Sequence, residues 1–136
     1  MIVADTSALL ALFNRREPAH DAVSAVVAED PAIAVSPYVL AELDYLVATR
    51  LGVEAETLVL RELASGAYEH AQFGATDVAA CADIVERYRD QAVGVADASI
   101  VVLAERVRTR TVLTLDRRHF DVLRPLDGGR FTVLPR

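Results

Sequence analysis

Short apolar runs alternating with longer helical segments restrict this chain more than any other feature. Ile2 to Ala4 and Ala32 to Val35 are uninterrupted apolar runs, Thr111 to Leu115 is rich in β-branched residues, and Phe131 to Leu134 is a last short run after the Asp127-Gly128-Gly129 turn. Tyr68 to Phe73 is a further candidate strand. A strand without apolar/polar alternation is covered on both faces, and strands separated by helices pair in parallel. The expected fold is therefore α/β: a Rossmann-like parallel sheet of four to five strands flanked by helices on both faces. At 136 residues the chain suffices for one well-buried core, so a single domain over residues 1–136 is expected.

Helices fill the intervals. Thr6 to Phe13 reads as a first helix, and Pro18 suits the opening turn of a second that continues from Ala19 to Glu29. Ser36 as N-cap and Pro37 at the first position open a helix through Thr49 that stops near Gly52. Val53 to Ala64 follows, ended by Ser65-Gly66. Thr76 or Asp77 caps a helix reaching Asp90, and Gly94 breaks the chain before a very apolar helix from Ala96 to Arg108.

Composition excludes several chemistries. All fourteen cationic side chains are Arg, with no Lys, so a Walker-type phosphate loop, a Schiff-base enzyme and a protein-kinase site each lack their amine. The net charge is −6 but unevenly placed: residues 106–136 hold eight Arg against three acids, while the rest holds six Arg against seventeen. An acidic body thus carries a basic C-terminal quarter, whose arginines can face polyanions. Lone Cys81 has no intrachain disulfide partner and is expected to pack as a small core residue. Asp5 interrupts what would be a signal core, and no apolar stretch approaches the roughly 18 residues of a membrane span, so a protein of the reducing cytoplasm is expected, with no membrane partner.

Four acids stand out against this apolar background. Asp5 directly follows Ile2-Val3-Ala4, and Asp116 follows Val112-Leu113-Thr114-Leu115, so both end buried strands. Ligands of open parallel sheets bind outside the carboxyl ends of the strands, although each acid could also simply cap the helix after it. On a helix, Glu42 has Tyr38, Val39, Tyr45 and Leu46 as its neighbours three and four positions away, none of them basic. Asp44 is similarly placed among Leu40, Ala41, Val47 and Ala48, and periodicity does not choose between them. Asp97 lies at the start of the most apolar helix, where the helix dipole alone would also favour it. Packed together, such carboxylates raise one another's pKa unless a cation neutralises them. A donor set of oxygens only, with His20, His70 and His119 scattered, suits Mg²⁺ or Mn²⁺ better than zinc. That apparatus points to phosphodiester hydrolysis.

Four motifs then make the chain familiar. Asp5-Thr6-Ser7-Ala8, Ser36-Pro37-Tyr38-Val39-Leu40-Ala41-Glu42, Asp97-Ala98-Ser99 and Leu113-Thr114-Leu115-Asp116-Arg117-Arg118-His119-Phe120 resemble the PIN-domain family over essentially the whole chain, and within it the VapC toxins of bacterial type II toxin-antitoxin pairs. The resemblance implies a PIN-like fold and a metal-dependent endoribonuclease in which Asp5, Glu42, Asp97 and Asp116 hold Mg²⁺ or Mn²⁺, with Thr6 or Ser7 assisting. It selects Glu42 over Asp44. It further implies products with 5′-phosphate and 3′-hydroxyl ends, a VapB-type antitoxin and a homodimer partner. Residues 41–50 and 108–111 look closest to members that cut the sarcin-ricin loop of 23S ribosomal RNA, with tRNA as the other substrate class. Arg108, Arg110, Arg117 and Arg118 are candidates for phosphate contacts, since guanidinium matches phosphate geometry, and His119 is read as structural. Other phosphotransfer domains fit poorly: a haloacid-dehalogenase-like site wants an acid where Ser7 stands, and a receiver domain wants a lysine. The remaining alternative is a non-catalytic protein-binding module on the same fold.

Overall fold

Every residue of Ile2–Ala4 (β1) and Ile33–Val35 (β2) is buried, and since successive side chains of a strand point to opposite faces, helices cover both sides of the sheet. The structure, a computed structural model, describes residues 1–30 and 32–136. Tyr68–His70 (β3), Thr111–Leu113 (β4) and Thr132–Leu134 (β5) complete a parallel sheet of order β3-β2-β1-β4-β5. Central β1 pairs Ile2 with Ile33 on one side and Val3 with Val112 on the other. The chain thus winds outward from β1 in both directions, and the β1/β4 junction is where the order reverses. Edge strand β3 is largely exposed, and its charged Glu69 blunts it against further pairing.

Seven helices are present among the described residues: Thr6–Phe13 (α1), His20–Glu29 (α2), Pro37–Leu51 (α3), Val53–Leu63 (α4), Ala75–Arg87 (α5), Val95–Arg106 (α6) and Arg117–Val122 (α7). α6 packs on β1 and β4 and against α3 and α5, which explains why Ala98 to Ala104 are all buried. Short α7 is anchored by Phe120, whose ring meets Phe131 edge-to-face at 5.9 Å. Burying such a ring contributes roughly 1.5–3 kcal/mol. Among the described residues no helix is long and apolar enough to cross a membrane.

The structure corrects several expected boundaries. Pro18 lies in the turn before α2, which begins at His20 after N-cap Ala19. The cap of α5 is Gly74, and Asp77 reaches back so that its Oδ2 accepts the Gly74 N–H at 2.8 Å. That helix ends at Arg87, and Asp90 sits in a separate 3-10 turn over Arg89–Gln91. The helix read as 96–108 begins at Val95 and ends at Arg106, because the chain reverses at Arg108, whose φ is 56°. β4 stops at Leu113, two residues early. Thr114 keeps a backbone bond to Leu134 but turns its hydroxyl to the sheet's end.

Candidate functional site

The site is built at the β1/β4 junction. Asp5, the residue after β1, is the N-cap of α1, and its Oδ1 accepts the Thr6 N–H at 2.8 Å. Its Oδ2 accepts the Thr114 hydroxyl at 2.6 Å and the Ser7 hydroxyl at 3.2 Å. Both hydroxyls accept in turn: Thr114 takes the Asp116 N–H at 2.9 Å and Ser7 takes the Leu115 N–H at 3.0 Å. Thr114 therefore ties the two strand-end acids together across the point where the strand order reverses. Asp5 is only 5% exposed, and burial pushes its pKa up despite the three donors that oppose the rise. The nearby charge of Glu42 acts in the same direction.

Asp97 lies in the first turn of α6, after Gly94, an N-cap without a side chain. Its pKa is pushed up to about 6, first by burial, then by the charge of Asp5, with Glu42 adding to the rise. The imidazole of His119 and the Gly94 N–H oppose the shift. Asp5, Glu42 and Asp97 thus lie within electrostatic reach of one another although they come from three distant parts of the chain. Glu42 is exposed on the open side of this group. Asp44 instead faces Glu56 of α4, whose pKa its hydrogen bond raises. The two acids that periodicity left equivalent therefore point to different neighbours.

Asp116 is the N-cap of α7, its Oδ1 accepting the His119 N–H at 3.3 Å. His119 Nδ1 lies 3.0 Å from Asp116 Oδ2 and 3.5 Å from Asp97 Oδ2, off the hydrogen-bonding direction, so the ring stands between the two acids. His119 was expected to be structural; its ring in fact faces the acids. Among the described residues no three acidic, imidazole or thiol groups sit close enough together to hold a metal ion as the side chains stand. The buried Thr6 Oγ1, beside Asp5, has no partner among the described residues. An unsatisfied buried oxygen and carboxylates that raise one another's pKa both fit a hard divalent cation.

The arginines divide. Arg118 shares a cleft of about 740 Å³ with Asp116 and His119, and a second hollow of about 400 Å³ beside Ser7, Leu115 and Asp116. It makes no ion pair among the described residues. Arg117 borders only the second, and its guanidinium donates to the Pro135 carbonyl. Arg108 and Arg110 are elsewhere: they line a hollow with Pro125, Leu126 and Asp127 before the amino end of β4, and Arg110 pairs with Asp127 at 3.3 Å. The intervening β4, at about 3.3 Å per residue, puts roughly 10 Å of strand between them and the acids.

With this geometry in view, comparison with known proteins is direct. The PIN domain model matches residues 2–124. The chain is also 62% identical over 135 residues to Ribonuclease VapC26 of Mycobacterium tuberculosis, covering 98% of this chain and the whole of that protein. The chain belongs to the PIN-domain family, among the VapC toxins. Three solved structures share the PIN fold at low identity. They are M. tuberculosis VapC20, described as a sarcin-ricin loop cleaving toxin (TM-score 0.81, 20% identity, 88% of this chain and 92% of that one), VapBC2 of Rickettsia felis bound to a promoter DNA fragment (0.67, 21%, 98% and 97%), and FitAcB of Neisseria gonorrhoeae (0.63, 20%, 97% and 97%). For this PIN domain the residue that sequence reading left without a role is Thr114. A polar side chain two residues before a strand-end acid was its signal, masked by the β-branched run that made it look like ordinary strand filling.

Proposed function

We propose that this VapC-family chain, a single domain over residues 1–136, is a divalent-metal-dependent endoribonuclease whose acids are Asp5, Glu42, Asp97 and Asp116. What supports the reading is that Asp97 is raised to about 6 by burial and by the charges of Asp5 and Glu42, while the Thr114 hydroxyl and the His119 ring link Asp5 and Asp97 to Asp116. Structural salt bridges also shift pKa values, but here three acids act on one another without an Arg partner, and the His119 ring only partly offsets the rise at Asp97. Such an arrangement costs stability unless a cation is bound.

Asp5, Asp97 and Asp116 would hold Mg²⁺ or Mn²⁺, with Glu42 closing the exposed side and Thr6 or Ser7 contributing an oxygen. The bound ion supplies Lewis-acid neutralisation of phosphate charge and lowers the pKa of water. The chain's own part is to orient. Thr114 and Ser7 hold the Asp5 carboxylate in one orientation. Arg118 takes a phosphate oxygen of the strand that crosses between its two hollows, and stabilises charge as it grows on the equatorial oxygens. The products are a 5′-phosphate and a 3′-hydroxyl. Arg108 and Arg110 have no part in this step.

The substrate we propose is structured RNA, with the sarcin-ricin loop of 23S ribosomal RNA first and tRNA second. The described action of the fold neighbour VapC20 supports the first. Cleavage there stops translation and growth, and a VapB-type antitoxin covering the acids restrains it. Exposed Tyr45, Leu51, Val53, Leu58 and Leu60 on α3 and α4 offer apolar surface for that antitoxin or for a second copy in a homodimer. Purified protein incubated with total RNA should cleave it only with Mg²⁺ or Mn²⁺, and Asp5→Asn and Asp97→Asn should be inactive. Cleavage that persists in EDTA or in both variants would refute the reading.

A further inference from the structure

The helices that carry Glu42 and Asp97 meet through a buried hydroxyl pair. Ser36 and Ser99 are both 0% exposed, and their Oγ atoms lie 2.6 Å apart. Ser99 Oγ donates to the Ala96 carbonyl at 2.6 Å, so its single proton is engaged and the Ser36 proton must point at Ser99. Ser36 in turn accepts the N–H groups of Tyr38 at 3.1 Å and Val39 at 3.4 Å, as the N-cap of α3. Only one arrangement of protons satisfies all these bonds, so the pair is fixed in direction as well as distance.

The placement gives the pair its use. Glu42 lies six residues after Ser36 on α3, and Asp97 lies two before Ser99 on α6. α6 starts at a glycine N-cap that offers no side chain of its own, so apart from the Asp97 carboxylate itself, which takes the Gly94 N–H, no local side chain sets where its first turn stands. Ser36 follows β2 directly, and thereby refers that turn to the sheet as well as to α3. One hydroxyl caps the helix of Glu42 and holds the helix of Asp97. Two serines in a core otherwise almost wholly apolar are costly unless both are satisfied, as these are.

We infer that Ser36 and Ser99 are positioning residues that set the separation of Glu42 and Asp97, and through it the affinity of the site for a divalent cation. The inference rests on the metal reading above. Residues that orient metal ligands change affinity about 10–100-fold when removed. Ser99→Ala deletes the partner on α6 while leaving the cap of α3 in place, so it isolates this role.

The test is a Mn²⁺ titration of the full chain without RNA, following free Mn²⁺ by its EPR signal, at a temperature where every variant is folded by circular dichroism. Ser99→Ala is expected to weaken Mn²⁺ binding by about tenfold or more. Val23→Ala, a cavity in α2 away from all four acids, serves as the stability control and should stay within twofold of the native protein. Ser36→Thr, which keeps both cap and donor, should also bind nearly as the native chain does. If Ser99→Ala does not fold, Ser99→Cys replaces it, since a thiol fills the space with a much weaker donor, and the same direction is expected. Native-like affinity in the folded Ser99 variant, or an equal loss in Val23→Ala, would overturn the inference while leaving the metal site intact. Absence of Mn²⁺ binding by the native protein would defeat both together.

Discussion

The two ends of the sheet are opposites in charge and in how tightly they are built. At the carboxyl end, Asp5 is buried, receives three hydrogen bonds and faces other acids, and Asp97 is held far from its ordinary pKa. At the amino end, Arg108 and Arg110 are exposed and the ion pair of Arg110 with Asp127 is open to water. Strongly satisfied side chains around an unfavourable charge cluster mark a site kept for chemistry; exposed pairs of that second kind contribute about 0–1 kcal/mol. Sequence proximity hides the contrast, because Arg110 and Arg117 are seven residues apart and yet lie beyond opposite ends of β4.

The largest difference between the ends should appear in catalysis. Asp5→Asn or Asp97→Asn is expected to reduce RNA cleavage by at least a hundred- to a thousandfold, against less than about twofold for Arg108→Ala or Arg110→Ala. Measured rates on the same RNA decide it; comparable losses at both ends would break the distinction. Thr114→Val comes next. It conserves shape but removes the hydroxyl between Asp5 and Asp116, and should weaken metal affinity about 10–100-fold. An unchanged Mn²⁺ titration would reduce Thr114 to a packing residue.

Stability should move the other way. The folded pKa of Asp97 is about 6 against 3.8 for the free group, so the metal-free fold favours the protonated acid. The contribution is fully present below about pH 3.8, and it is lost as pH rises toward 6 and beyond, on the order of 2–3 kcal/mol in all. Asp97→Asn should therefore melt several degrees higher than the native protein at pH 7.5 without metal, and nearly equal to it near pH 3.5. Calorimetry at the two values checks this, and a variant less stable at pH 7.5 would mean that the acid is held by an attractive partner. Smallest is the effect at Arg118. Arg118→Ala should weaken RNA binding several-fold and lower the salt slope by about 0.7–0.9, the loss of one phosphate contact, whereas Arg110→Ala leaves the slope alone.

Much of this was legible in the residues because strand and acid are adjacent in the chain. Ile2 to Ala4 followed by Asp5 places one acid directly at a strand end, and the run to Leu115 places Asp116 just beyond another, although β4 itself stops at Leu113. A parallel sheet of four to five strands followed from the apolar runs, and five are present. Glu42 against Asp44 was not legible in periodicity, because both sit on a helix with apolar neighbours; the family resemblance chose Glu42, and α4, bringing Glu56 to Asp44, gives Asp44 a different neighbour. Ser99 and Thr114 were hidden for a related reason: small hydroxyls inside apolar runs look like tolerated core residues until their partners, 63 and 109 positions away, are in place. The positive φ of Arg108, which ends α6 early, carries no glycine to announce it.

The account turns on the acids forming one cation site at the carboxyl end. Crystals soaked in Mn²⁺ and measured for anomalous scattering test this most directly. We predict a peak in contact with Asp5 and Asp97 that disappears in Asp97→Asn. No peak there in the native protein, or one confined to Asp44 and Glu56, would contradict it.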